Sequence, residues 1–296
     1  MTDNLLTKII MGVLGLALLA ACVVFGNGCG EDWDPGFFCK GSGDEPVLMA
    51  GSQTQSIVNG TPSIDRRATV HVSTGCSGVA MDPYVVLTAA HCVFPGEMTV
   101  GLSPRGYRIA VDDIYVHRAY EGWPHWDIAV LHLAEPIEGP FPVGIYDPAE
   151  GGYAPDLRYY CSHLVAQGWG KTGDNPPGLY ELEYEVGTAT LTTLVTAASD
   201  DPATSAVCNG DSGGPLYAYT YDREVPGKIN MWVAGIASTG SPDGCVGRGE
   251  HVYLENMSPW LREVRYCLNG GEDRLWDFYV IGGGGYRGSS CEELRK

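Results

Sequence analysis

The chain is short of positive charge. Of its 296 residues only 18 are Lys or Arg, against 36 Asp or Glu, so its formal net charge is -18. A protein that binds nucleic acid needs a basic surface to displace counterions from the phosphates. The composition therefore argues against a nucleic-acid partner and is typical of a highly soluble protein that works outside the cell.

Metal-ligand spacings and long helical patterns are also missing. The histidines form no recognisable metal motif, so we predict neither a metal site nor a cofactor. Short alternating or apolar runs recur from Val70 onward between turns rich in Gly, Pro and Asp. Only Pro259 to Cys267 has a helix-like pattern. The pattern predicts an all-β fold with one helix near the end of the chain.

No hydrophobic run is long enough to span a membrane comfortably. The longest, Ile9 to Ala21, follows Lys8 and has the length of a signal-peptide core. We therefore predict a signal peptide over residues 1–21 and export of the remainder. Residues 22–56 are rich in Gly, Asp, Ser and Pro, which is typical of a flexible tether.

The end of this run, Leu19-Ala20-Ala21-Cys22, resembles the lipobox of bacterial lipoproteins. The resemblance implies a diacylglyceryl anchor on Cys22 and a place in the bacterial cell envelope. Val23, in place of an acidic residue, is compatible with the outer membrane. Two alternatives remain open, an ordinary secretory signal cut near the same small residues and an uncleaved anchor extended through Phe25.

Chemistry is concentrated in the segment from Gly210 to Pro215, Gly-Asp-Ser-Gly-Gly-Pro. Ser212 is a candidate nucleophile, and the glycines after it let the backbone approach a substrate closely. The amides of Gly210 and Ser212 can both point at a developing oxyanion. The segment thus predicts a nucleophile together with its oxyanion hole.

Two segments upstream supply what a serine nucleophile needs. His91, in Thr88 to Cys92, is the candidate base that takes the proton of the hydroxyl. Asp127 opens the apolar run Ile128 to Leu133 and is the candidate carboxylate that orients the imidazole. Together they predict a triad of His91, Asp127 and Ser212.

Four blocks in this order resemble the chymotrypsin/trypsin family of serine endopeptidases. They are Ile57-Val58-Asn59-Gly60, Thr88 to Cys92, Asp127 to Leu131 and Gly210 to Pro215. The resemblance implies two six-stranded antiparallel β-barrels with a C-terminal helix over residues 57–267. It also implies protein or peptide substrates. Residues 268–296 extend beyond it, and we assign them no function.

The ten cysteines suit an oxidising compartment. By position, Cys76 and Cys92 match the family's bridge at the histidine loop, and Cys208 and Cys245 match its bridge beside the specificity pocket. Local pairs that the spacing allows are Cys29 with Cys39 and Cys267 with Cys291, which leaves Cys161 alone if Cys22 is acylated. The connectivity stays open at this point.

In the family, cleavage frees an Ile-type N-terminus whose ammonium pairs with the acidic residue before the nucleophile. The corresponding residues here are Ile57 and Asp211. The preceding residues are Gln55 and Ser56 instead of the usual Arg or Lys, so a trypsin-like activator would not cut there. A different protease, self-cleavage, or a role for the uncut precursor are the alternatives.

Specificity in the family is set beside the serine. Ala206 occupies the pocket floor, where an Asp would confer Arg/Lys preference. Ser238, Thr239 and Gly240 resemble the edge that pairs with the substrate backbone, although an aromatic residue is usual at Thr239. His251 reaches the pocket from the far wall in one alignment, where it would narrow the pocket or favour an acidic side chain. We expect a preference for small to medium apolar residues.

Two other readings fit parts of the pattern. Gly210 to Gly214 also fits the nucleophile elbow of α/β-hydrolases, with Asp243 and His251 downstream, but Pro215 to Tyr221 reads as a strand where that fold needs a helix. A catalytically silent binding module on the same fold is the second alternative. Because His91, Asp127 and Ser212 are all present, we favour the enzyme.

Overall fold

The short runs of apolar residues form strands in the computed structural model of the chain. The structure describes residues 57, 60–63, 68–122, 125–142, 144–145, 164–170, 178–190, 192–198, 207–221, 229–239, 248–269 and 291. The predicted signal peptide, the tether and Cys22 lie outside the described residues. Among the helices that are described, none has the length and apolar character needed to cross a membrane.

Six strands in the first half of the chain close into a barrel, in the order β2-β3-β4-β7-β6-β5. Every residue of β3 and β4 is buried, which explains why these strands read as continuous apolar runs. The turn between them is fixed by the Tyr84 N–H, which donates to Asp82 Oδ1 at 2.7 Å. The first seven strands are β1 (Thr61–Pro62), β2 (Thr69–Val72), β3 (Ser77–Ala80), β4 (Val85–Thr88), β5 (Thr99–Gly101), β6 (Ile109–Val116) and β7 (Ala129–Leu133).

The second half forms a sheet of eight strands whose six longer members pair in a ring, β9-β10-β11-β14-β13-β12 and back to β9. Two strands of two residues each lie outside the ring, β1 against β10 and β8 in parallel with β13. The remaining strands are β8 (Gly144–Ile145), β9 (Leu164–Gly168), β10 (Tyr180–Ala189), β11 (Thr193–Ala198), β12 (Pro215–Tyr221), β13 (Ile229–Thr239) and β14 (Arg248–Tyr253).

An α-helix, α1, covers Ser258–Leu268 and follows a 3-10 turn at Leu254–Met257. Pro259 lies in its first turn, where its missing N–H costs no helical hydrogen bond. Trp260, Leu261 and Val264 are buried on the face that packs into the core. A disulfide joins Cys267 at its end to Cys291.

The prediction of an all-β fold with two six-stranded barrels and a C-terminal helix is confirmed. The two short extra strands were not predicted, because two residues carry no periodic pattern. The pair Cys267 and Cys291, which the spacing allowed, is bonded. Within the predicted extension 268–296, the structure describes only 268, 269 and 291.

Candidate active site

The ends of two neighbouring strands bring His91 and Asp127 together. His91 lies in a 3-10 turn, Ala90–Cys92, just after β4, and Asp127 lies just before β7. The register of these antiparallel strands pairs Thr88 with Ala129, so the two side chains start from the same edge of the barrel. A disulfide between Cys76 and Cys92 holds the turn.

The Asp127 side chain is fully buried and is surrounded by donors. Its Oδ2 lies 2.7 Å from Nδ1 of His91, and its Oδ1 accepts the backbone N–H of His91 at 2.9 Å. The Ser238 hydroxyl donates to Oδ2 at 2.5 Å. Three hydrogen bonds offset the cost of burying the charge and fix the tautomer in which Nδ1 carries the proton.

The His91 side chain is 26% exposed, whereas the Asp127 side chain behind it is 0% exposed. A base that is oriented from behind and accessible in front can take a proton from a substrate-side hydroxyl. Among the described residues, Asp127 is the side chain that His91 is hydrogen-bonded to. No such bond joins His91 to Ser212, as is common before a substrate tightens the site.

Backbone contacts place the loop of Ser212 beside this pair. The Ser212 carbonyl accepts the N–H of Ser77 at 2.8 Å and lies 3.6 Å from the sulfur of Cys92, the residue after His91. The N–H of the following residue, Gly213, donates to the carbonyl of Ala237 at 2.7 Å. A β-carbon at Gly213 would overlap Ser77 and Thr88, and its φ of +82° favours glycine. The glycine thus lets the loop pack against the first barrel.

Gly210, the predicted oxyanion donor, has a backbone conformation that favours glycine. Its φ is +99°, and its carbonyl accepts the hydroxyl of Ser77 at 2.8 Å, which fixes the orientation of the loop. Within the described part of the chain, the N–H groups of Gly210 and Ser212 donate to no backbone carbonyl. Two amides without such partners, adjacent to a serine, can stabilise a negative oxygen. Ser77 was missed by the sequence reasoning, because a serine within a strand gives no signal of its own.

Asp211, the residue between Gly210 and Ser212 in the chain, is buried. Its carboxylate accepts the N–H groups of Gly170 at 2.8 Å and Cys208 at 2.9 Å. A β-carbon at Gly168 or Gly170 would overlap it, so these glycines make its space. Burial raises the pKa of Asp211 to about 7, despite the two hydrogen bonds that lower it.

Ile57, the predicted partner of Asp211, is buried in the apolar cluster of the second barrel with Tyr184 and Val207. Its φ is +33°, a strained value for a β-branched residue. In the continuous chain Ile57 has a peptide N–H instead of an ammonium. In this part of the described structure no ion pair or hydrogen bond joins it to Asp211.

His251 lies on β14, opposite Ala237 of β13, and is fully buried. Its Nδ1 is 3.4 Å from the Thr196 hydroxyl, its ring meets Tyr184 edge-on at 5.8 Å, and its Nε2 has no partner among the described residues. Burial lowers the pKa of His251 to about 3, so the ring is neutral at pH 7.

The structure describes some of the other predicted site residues and not others. Ser238 and Thr239 end β13, and the hydroxyl of Ser238 faces Asp127, a contact that the sequence did not indicate. Ala206 and Gly240 lie outside the described residues.

Cys208 is disulfide-bonded, and its predicted partner Cys245 lies outside the described residues. Cys76, His91 and Cys92 lie close together but offer no thiolate to a metal, because the two sulfurs are bonded to each other.

Trp126, directly before Asp127, is a further residue that sequence reasoning missed. Its φ is +55°, and its indole stacks on His117 with ring centroids 4.6 Å apart. His117 in turn contacts Trp260 of α1 at 5.0 Å. The sequence contains no signal for this stack, because a ring contact leaves no periodic pattern and Trp260 lies far along the chain from the other two residues.

Comparisons with known proteins agree with this geometry. Residues 57–261 match the family model described as Trypsin. Chymotrypsin-C of Rattus norvegicus is 29% identical over 283 residues, which cover 85% of this chain and 98% of that protein. Chymotrypsin-C of Bos taurus is 30% identical over 197 residues, which cover 57% of this chain and 69% of that protein. The chain therefore belongs to the trypsin family and is a serine endopeptidase of that family.

Proposed function

We propose that this chain hydrolyses peptide bonds through a triad of His91, Asp127 and Ser212. The observation that carries the proposal is the buried Asp127 carboxylate, hydrogen-bonded to both the ring and the backbone of His91, beside the loop of Ser212. The substrates are proteins or peptides. No cofactor enters the reaction we propose.

The reaction begins when Ser212 Oγ attacks the carbonyl carbon of the scissile bond and His91 Nε2 takes the hydroxyl proton. Asp127 stabilises the imidazolium that forms, and the N–H groups of Gly210 and Ser212 stabilise the oxyanion. Protonation of the amine by His91 releases the first product and leaves an acyl group on Ser212. A water molecule, deprotonated by His91, then hydrolyses the acyl-enzyme and regenerates the hydroxyl.

Activation is proposed to follow a cut before Ile57. Among the described residues no cation pairs with the buried Asp211, and the backbone of Ile57 is strained in the continuous chain. An ammonium at Ile57 would provide the missing charge, and release of the chain would relax the strain. Because Gln55 and Ser56 precede the cut, the activator is a protease without trypsin-like preference, or the chain itself.

For the substrate side chain before the cut bond, we propose small to medium apolar residues. Ala206 offers no carboxylate to a basic side chain. His251 fills space in the second barrel, and since its pKa is lowered to about 3, it presents no positive charge to an acidic one at pH 7. Ser238, Thr239 and Gly240 are proposed to align the substrate backbone.

We propose further that the precursor is exported and, until the cut before Ile57, held at a bacterial cell envelope by a lipid on Cys22. The support is the run Ile9 to Ala21 followed by the motif Leu19 to Cys22. An ordinary secretory signal would give a free secreted enzyme with the same catalytic part.

The intact mass of the purified protein, with and without a fluorophosphonate probe, tests the activity and the processing together. We expect a single probe adduct on a chain that begins at Ile57, because only an activated serine reacts with the probe. The matched control is Ser212→Ala, which should take up no probe. An adduct on Ser212→Ala would reject the nucleophile, and a folded chain cut before Ile57 without an adduct would favour a silent binding module.

A further inference from the structure

The backbone of Trp126 directly shapes the turn that carries Asp127. The Ile128 N–H donates to the Trp126 carbonyl at 2.8 Å, which closes a three-residue turn around Asp127. Trp126 has a φ of +55°, a conformation that bulky residues rarely adopt. Such a conformation persists only where surrounding contacts hold it, and it is found at functional sites.

Those contacts come from an aromatic cluster that we name the 117/126/260 stack, after His117, Trp126 and Trp260. The rings of His117 and Trp126 are nearly parallel, 10° apart, with centroids separated by 4.6 Å. The ring centroid of Trp260 lies 5.0 Å from that of His117, and the two rings are tilted by 58°. His117 and Trp260 are buried, and Trp126 is half-buried and packs against the core.

The stack is attached to the Asp127 turn and to α1 by further bonds. The His117 N–H donates to the carbonyl of Ile128 at 3.1 Å, on the far side of Asp127. The residue after His117 is Arg118, whose Nη2 lies 3.4 Å from Oε1 of Glu263 in α1. Asp127 is thus held between two residues, Trp126 and Ile128, that both contact His117.

We propose that Trp126 is a positioning residue for Asp127, and that through the 117/126/260 stack the C-terminal helix α1 holds the carboxylate against His91. The inference rests on the proposed function, since it concerns the geometry of the proposed triad. Trp126 does not touch the reacting atoms in this account. It fixes the backbone turn from which the Asp127 side chain leaves.

The test compares kinetics of the cut enzyme with Trp126→Asn and Trp126→Phe. Asn tolerates a positive φ but cannot stack, whereas Phe keeps an aromatic face. For Trp126→Asn we expect kcat to fall about 10- to 100-fold, the loss that a small displacement of a catalytic group produces, with KM changed much less. Trp126→Phe should retain most of the activity.

A purely structural role would not move the pH profile. We expect Trp126→Asn to shift the acid limb of the kcat/KM profile, because that limb reports protonation of the catalytic base that Asp127 supports. Trp232→Asn is the matched control, a partly buried Trp on β13 in the second barrel. It should alter stability without moving the limb. Wild-type kcat and an unshifted limb in Trp126→Asn would overturn the proposal.

Two arrangements keep the test decisive. If Trp126→Asn fails to fold, His117→Phe and His117→Ala replace it: the first should preserve the acid limb and the second should shift it.

If the wild-type chain hydrolyses nothing, the proposed function has failed. The NMR signal of the proton between His91 and Asp127, compared in Ser212→Ala with and without Trp126→Asn, then tests the positioning alone. An unchanged signal would overturn it.

Discussion

At the scale of single residues, the site depends on how one buried charge is satisfied. Asp127 receives hydrogen bonds from the ring and the backbone of His91 and from the hydroxyl of Ser238. The bond to the His91 ring was implied by the predicted triad, whereas the bond from the His91 backbone was not. The bond from Ser238 was not, because the sequence places Ser238 on an edge for substrate and says nothing of the direction of its hydroxyl.

Replacing Ser238 with Ala should weaken both the fold and the reaction. The carboxylate would lose one of three donors while remaining buried, which we expect to lower the free energy of unfolding by about 1–3 kcal/mol. With Asp127 less firmly held, kcat/KM should fall by roughly tenfold or more. Urea unfolding and peptide hydrolysis measure the two effects.

Ser238→Thr is the control for this experiment, since it keeps the hydroxyl on the same strand. It should recover most of the lost activity. If Ser238→Ala and Ser238→Thr behave alike, or if Ser238→Ala keeps full activity, the hydroxyl has no role in holding Asp127.

At the scale of elements, the sequence predicted the features that hydrophobic periodicity and local motifs encode. β4 and β7 are apolar runs, and Asp127, predicted at the opening of the run Ile128 to Leu133, lies just before β7. Contacts made across long separations could not be predicted in this way. Ser77 reaches Gly210 and His117 reaches Trp260, and neither pair leaves a pattern in a single sequence.

The disulfide beside the histidine turn offers a prediction at this scale. Cys76 and Cys92 are separated by 16 residues, and a loop of that size stabilises the fold by about 3 kcal/mol through restriction of the unfolded chain. The double variant Cys76→Ala and Cys92→Ala should lose about this much stability. Its kcat should fall as well, because the bond ends at the residue after His91.

The bond between Cys267 and Cys291 is a matched control, with a separation of 24 residues. Its removal should cost a similar free energy of unfolding, since the loop is only slightly longer. It ends at the other end of α1 from Trp260, so kcat of the folded enzyme should be retained. Equal losses of kcat in both double variants would show that general loosening, not the position of His91, accounts for the effect.

At the scale of the whole molecule, three buried titratable groups oppose each other as the pH changes. Burial lowers the pKa of His117 to about 4 and that of His251 to about 3. Between these values and the ordinary histidine pKa the unfolded chain binds more protons, so both groups make stability rise with pH. Asp211 acts in the other direction in the continuous chain, because its pKa is raised to about 7.

The Asp211 contribution can be isolated by substitution. From about pH 4 to pH 7 the folded continuous chain keeps the Asp211 proton that the unfolded chain has lost, so its contribution to stability falls as the pH rises. The difference between the ordinary pKa of an aspartate and the value of about 7 for Asp211 corresponds to about 4 kcal/mol. We expect the stability of Ser212→Ala relative to Ser212→Ala with Asp211→Asn to fall by about this amount across the window. Urea unfolding at several pH values measures it.

Cleavage before Ile57 should reverse the sign of this contribution. An ammonium paired with Asp211 would favour the charged carboxylate and bring its pKa below the ordinary value, so the group would stabilise the fold above about pH 4 and lose that effect on acidification. The cut chain should then lose stability more steeply than the continuous chain as the pH falls from 7 to 4, because Asp211 no longer takes up a proton in that window to offset the two histidines, and below about pH 4 Asp211 adds to the loss. If both forms gave the same pH dependence, Ile57 would not reach Asp211, and the proposed activation switch would have to be abandoned while the triad chemistry stood.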